Sequence, residues 1–151
     1  MDVNIPKLKK NVEIYLSHGG DFRILECMIF LNKYSAIHKG EESVEEYLNS
    51  DICFIPVMDT QTNEFNILNK RHIICLKTEV EDEKGSLPRV NFDIHFDNGK
   101  IIKAGFLNDT LPKFRSRPLD YLNSGNNFIE FEMDEKITYF NTNHINRVTG
   151  L

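Results

Sequence analysis

Glu46-Tyr47-Leu48-Asn49-Ser50 is followed three residues later by Phe54-Ile55, and Asp120-Tyr121-Leu122-Asn123-Ser124 is followed three residues later by Phe128-Ile129. The two stretches lie 74 residues apart, and their agreement decides how the whole chain is read. Further on, Asn69-Lys70-Arg71-His72-Ile73 returns as Asn141-Thr142-Asn143-His144-Ile145, now at an offset of 72. The difference of two falls between these matches, where residues 59–64 shorten to 133–136. Turns absorb insertions and paired strands do not, so two copies of one hairpin should differ in this way. Upstream, Phe30-Leu31-Asn32 parallels Phe106-Leu107-Asn108, and Val12-Glu13-Ile14-Tyr15-Leu16 parallels Phe92-Asp93-Ile94-His95-Phe96. Four matches in one order define two tandem copies, residues 8–77 and 88–151, joined by a linker over 78–88.

Local signals run in the same order within each copy. Residues 12–16 and 92–96 alternate apolar and polar side chains, the period of a half-buried strand. Turn residues follow, Ser17-His18-Gly19-Gly20 and Asp97-Asn98-Gly99-Lys100, the second holding an Asn-Gly hairpin signal. A second strand is expected over 22–31 and over 101–107. Ser43-Val44-Glu45-Glu46 carries a capping box that opens a short helix, and Pro118 suits the first helical position of its counterpart. Asn49 and Asn123 are read as helix terminators, because Asn accepts the left-handed conformation at a helix end. Strand pairs are expected over 52–58 with 64–68 and over 127–133 with 137–140. The Asn-x-x-His-Ile step then turns into a last strand, 73–77 or 145–149.

This pattern predicts a mainly β fold: a tandem duplication of a small five-stranded barrel, SH3-like, Sm-like or PilZ-like, each with one short helix between strands two and three. A barrel of about 65–70 residues is marginal alone, so packing of the copies or oligomerisation is expected to offset that weakness.

The acidic residue, Tyr, Leu and Asn, then Phe-Ile, a variable hairpin and Asn-x-x-His-Ile resemble an uncharacterised bacterial family of small β-barrel domains. The resemblance covers most of both copies and implies a barrel and a bacterial origin. It implies no activity. Members of that family often carry an Arg just before the acidic residue; here Arg117 precedes Asp120 by three, whereas the first copy has Glu41 and Glu42. PilZ domains bind cyclic diguanylate through a pattern resembling Arg-x-x-x-Arg and a distant Asp-x-Ser-x-x-Gly. The nearest match, Lys113-x-x-x-Arg117 with Asp120-x-Leu122-x-x-Gly125, replaces the first Arg and the Ser and is far too closely spaced. Cyclic-dinucleotide binding is therefore not expected.

Composition narrows the function classes. A net charge of −5 argues against general nucleic-acid binding, which rests on a basic surface. Residues 78–88 alone carry four acids against one base, the composition of a solvated linker. No apolar run approaches the roughly 20 residues of a membrane span, and the Met1–Lys7 stretch lacks the pattern of a secretory signal. A cytoplasmic protein is expected. Cys27, Cys53 and Cys75 stand among apolar residues at no metal-binding spacing, so all three are expected as buried free thiols.

No phosphate loop, nucleophile elbow or His-Glu-x-x-His motif is present, so an enzyme is the least supported class and no cofactor or metal is expected. His72 and His144 are read as turn residues whose rings bond a nearby carbonyl, and Asn69 and Asn141 as side chains satisfying turn backbone. Tyr47 and Tyr121 are expected to anchor the helices on the barrel. One segment departs from this structural pattern: Lys113-Phe114-Arg115-Ser116-Arg117 places three positive charges and a Phe on a loop. Lys113, Phe114, Arg115 and Arg117 are the candidate binding residues for an acidic partner, a phosphate or a carboxylate. The expected function is a non-catalytic interaction or regulatory module that binds another protein or itself. The alternative is a sensor of an anionic small molecule or nucleotide at that loop.

Overall fold

The computed structural model describes residues 7–81, 89–107 and 118–150. The alternation at 12–16 forms the middle of β1 (Lys7–His18), where Val12 and Ile14 are buried. β1 pairs along its whole length with β2 (Asp21–Asn32), and Gly19-Gly20 closes the hairpin with φ of +56° and +86°. Two successive positive φ angles match the strand twist, and glycine adopts them without steric cost. α1 (Val44–Leu48) starts at Ser43, whose Oγ accepts from the Glu46 N–H at 3.1 Å while the Glu46 carboxylate accepts from the Ser43 N–H at 3.2 Å. β3 (Phe54–Asp59) and β4 (Phe65–Asn69) form the next hairpin, and a 3₁₀ turn at Lys70–His72 leads into β5 (Ile73–Glu81).

The second half has β6 (Arg89–Phe96), β7 (Ile101–Leu107), α2 (Pro118–Leu122), β8 (Phe128–Met133) and β9 (Lys136–Asn141). A 3₁₀ turn at Thr142–His144 then leads to β10 (Ile145–Thr149).

The strands form one ten-stranded antiparallel sheet in the order β10-β6-β7-β8-β9-β5-β1-β2-β3-β4. It is not closed, which corrects the expectation of two closed barrels. The reason is the join: β9 pairs with β5, with Cys75 opposite Phe140, Leu76 opposite Tyr139 and Lys77 opposite Thr138. Each half contributes five strands in the same relative order, and β4 and β10 are the outer strands of the combined sheet. β5 continues to Glu81, opposite Lys136, so residues 78–81 are strand rather than linker. Thr78 is buried there and donates from Oγ1 to the Ile137 carbonyl at 2.8 Å.

Two apolar cores lie along this sheet, and each borrows from the other half. The first gathers Ile14, Ile29, Leu48, Ile55, Ile73 and Leu76, together with Phe128 and Tyr139 from the second half. The second gathers Phe92, Phe96, Phe131 and Phe140, together with Ile74 and Cys75 from β5. β5 therefore turns Ile73 and Leu76 to one core and Ile74 and Cys75 to the other. Cys27 and Cys75 are buried free thiols, but Cys53 is exposed, because it lies in the connection before β3 beside an exposed Ile52. Among the described residues, no helix is long and apolar enough to cross a membrane.

Candidate functional site

Two features of this sheet bear on function: the junction between the halves and the outer face of the β3–β4 hairpin. At the junction, Asn49 reaches from the end of α1 to the start of β8. Its Oδ1 accepts from the Phe128 N–H at 2.9 Å and its Nδ2 donates to the Phe128 carbonyl at 3.0 Å. Phe128, Tyr139 and the partly buried Ile137 then pack into the first core. Asn141, opposite Phe128 in the β8–β9 ladder, is buried. Its Oδ1 accepts from the Asn143 N–H at 3.0 Å, and its Nδ2 donates to the carbonyls of Ile73 at 3.0 Å and Arg71 at 3.3 Å. The His144 ring spans the same seam, with Nε2 2.6 Å from the Arg71 carbonyl oxygen and Nδ1 2.9 Å from Asp97 Oδ2.

Lys77 holds a polar cleft at the other end of the seam. Its Nζ lies 3.1 Å from Glu13 and 3.3 Å from Asp134, and over the Tyr15 ring. Burial opposes its charge, yet the hydrogen bond to Glu13, the nearby Tyr15 and the bond to Asp134 outweigh burial and raise its pKa. The ammonium is thus occupied within the seam. Among the described residues, no group of three His, Cys, Asp or Glu side chains is placed to hold a metal ion.

The β3–β4 hairpin presents a different surface. Phe54, Pro56 and Met58 alternate with the buried Ile55 and Val57, and Pro56 and Met58 pair across the hairpin with Ile67 and Phe65. Phe54, Phe65 and Ile67 are 58%, 66% and 75% exposed. Phe30 of β2 stacks on Phe65 at a centroid distance of 6.1 Å, extending the patch. In the second half the matching residues are Phe128, Ile137 and Tyr139, the three side chains inserted into the first core. Corresponding positions are therefore buried or partly buried on one hairpin and open on the other.

The residues singled out from sequence fall in several places. Lys113, Phe114, Arg115 and Arg117 lie outside the described residues, and nothing describes the Tyr121 side chain. Tyr47 is buried in the first core. Asn49 closes α1 with φ −94° and ψ 6°, which is not left-handed; its amide acts across the seam instead. Asn123 follows α2 and is exposed. Asn69 and Asn141 cap the two 3₁₀ turns by accepting from the N–H two residues on.

His144 does bond a carbonyl, but that of Arg71 in the other half rather than one in its own turn. His72 is exposed and its ring bonds none of the described residues, because among the described residues no strand lies beyond β4 to offer that carbonyl. Sequence reasoning missed the Phe54, Phe65 and Ile67 patch. The alternation of 54–58 was visible, but which of its faces stays open depends on what the sheet edge meets.

No family model, curated protein or solved structure matches the chain.

Proposed function

We propose that this chain is a duplicated small-β protein of the bacterial cytoplasm that works as a non-catalytic interaction or regulatory module. Its contact surface is the outer face of β3–β4. The observation that carries this reading is the contiguous apolar set Phe30, Phe54, Phe65 and Ile67 on an outer hairpin. Contiguous exposed apolar surface on a folded chain marks an interaction site more often than an accident of composition. β4 adds an outer edge that no strand among the described residues pairs with, a row of backbone donors and acceptors at the same place.

The test is affinity capture with the wild-type chain and a Phe65→Asp/Ile67→Asp variant as baits. A stoichiometric protein retained by the first and lost by the second supports the reading. Identical captures remove the patch from it.

A further inference from the structure

Resting on that reading, we infer that the occupant of the β3–β4 face is β10 and the adjoining α2 end of a second copy of this chain, joined head to tail. The internal seam supplies the template, because its two sides recur at the two ends of the sheet, where no strand among the described residues covers them.

On the inserting side, Phe128, Ile137, Tyr139 and Asn141 of β8–β9 correspond by sequence offset to Phe54, Phe65, Ile67 and Asn69 of β3–β4. The former set is buried or partly buried in the first core; the latter has its three apolar members exposed. Asn69 repeats the local bond of Asn141, accepting from Arg71 as Asn141 accepts from Asn143. Among the described residues its amide nitrogen lacks the two carbonyls that Asn141 holds across the seam.

On the receiving side, Asn49, Ile73 and Leu76 correspond to Asn123, Ile145 and Val148. Asn49 grips the Phe128 backbone, whereas Asn123 is exposed. Ile145 and Val148 remain apolar and partly buried against the second core. Carrying the β5–β9 register through the 72-residue offset sets Val148 opposite Ile67 and Thr149 opposite Asn66 of the next chain. Asn123 then meets the backbone of Phe54, and the Asn69 amide meets the carbonyls of Asn143 and Ile145. Both strands have five residues, so the lengths agree.

One difference sets the strength of this contact. Ile74 and Cys75, which turn toward the neighbouring core, correspond to Asn146 and Arg147. The intermolecular seam therefore buries less apolar surface than the internal one, and the assembly is reversible. Because the surfaces joined are unlike, the contact is heterologous and adds chains in one direction until a ring closes or a filament grows.

Sedimentation velocity over a range of concentrations tests this directly. The expected wild-type mass rises with concentration above the 17.6 kDa of one chain. Ile67→Asp blocks the β4 end and Val148→Asp blocks the β10 end, so each alone is monomeric. Mixed in equal amounts they form a dimer through the one intact seam. Asn123→Ala, an exposed site that leaves folding unaffected, weakens self-association about tenfold by removing two hydrogen bonds. It serves if Val148→Asp does not fold by circular dichroism.

A wild type that stays monomeric throughout overturns the inference. So does a folded Val148→Asp or Asn123→Ala chain that associates as well as wild type, which would indicate pairing of β4 with β4 or another contact. A monomeric wild type whose captured protein is still lost in Phe65→Asp/Ile67→Asp leaves the interaction reading standing. Identical captures end that reading as well.

Discussion

Asn49 binds both backbone polar groups of Phe128, a residue 79 positions away, through the two ends of one side-chain amide. A helix end in one half thereby fixes where a strand of the other half begins. Asn49→Ala leaves a part-buried N–H and carbonyl without this partner, which costs about 2 kcal/mol. Thermal denaturation should register a fall in Tm of about 4–8 °C, given about 2–4 °C per kcal/mol for a chain of this size. Asn123→Ala, at the corresponding exposed position, stays within about 0.5 kcal/mol of wild type. Equal effects at the two sites would refute the seam role of Asn49.

The three thiols differ sharply in environment. Burial pushes the Cys27 thiol up to about 12 and raises that of Cys75 as well, whereas Cys53 is exposed. Because the thiolate is the reactive form, a disulfide reagent at neutral pH should modify one thiol rapidly in the native chain and three after denaturation. Cys53→Ser removes the rapid phase. A rapid phase that survives it would place the reactive thiol in one of the cores.

His38 ties down the loop before α1, with Nδ1 3.0 Å from the Lys39 carbonyl oxygen and Nε2 bonded to the Glu46 carboxylate. The Lys39 carbonyl first, then Glu46, raises its pKa above 6.5. Glu46 is held below 4.5, chiefly by the Ser35 hydroxyl and, against some desolvation, by the Ser43 N–H and His38. The histidine contribution is complete below pH 6.5 and fades as pH climbs through the folded midpoint. The glutamate contribution is present above pH 4.5 and fades as pH drops through its own. The loop is thus tightest between these two values. NMR titration of the His38 ring should give a midpoint above 6.5 that Glu46→Gln brings down; a midpoint indifferent to that substitution contradicts the pairing.

Asp134 and Glu135 join β8 to β9 in a two-residue turn with φ of 54° and 65°. Such angles strain side chains other than glycine. Glu135→Gly creates an Asp-Gly turn and should stabilise the chain by about 0.5–1 kcal/mol, read as a higher Tm. A lower Tm would mean that the glutamate side chain contributes more than its backbone costs.

Cutting the chain at a protease site engineered within residues 82–88 should yield two fragments on a denaturing gel. On gel filtration they should elute as one particle of the intact mass, because β5 pairs with β9 and each core contains side chains from both fragments. Fragments that separate without denaturant would contradict the shared cores.

Features written in local chemistry were legible in the sequence. Ser43 and Glu46 cap each other three residues apart, and Asn69 and Asn141 each accept from the N–H two positions on. Such bonds depend only on neighbouring residues. The seam was not legible in that way, since no local pattern states which strand an edge accepts. One signal did bear on it: Ile73-Ile74-Cys75-Leu76 is unbroken apolar sequence, while Ile145-Asn146-Arg147-Val148 is interrupted. An uninterrupted apolar strand is buried on both faces, and β5 is such a strand. The apolar outer face of β3–β4 escaped notice because Phe54 and Phe128 are the same residue in the same motif, and only the surroundings distinguish them.

The sharing of side chains between the two cores also bears on how the protein is made. A nascent chain that has emerged only as far as β5 has neither Phe128 nor Tyr139 to fill its interior, and it exposes Ile74 and Cys75 to water. Domains synthesised in sequence usually fold in sequence. Here the first core is completed only once β9 has left the ribosome, and until then its unfilled interior and the bare apolar face of β5 are surfaces of the kind that favour aggregation.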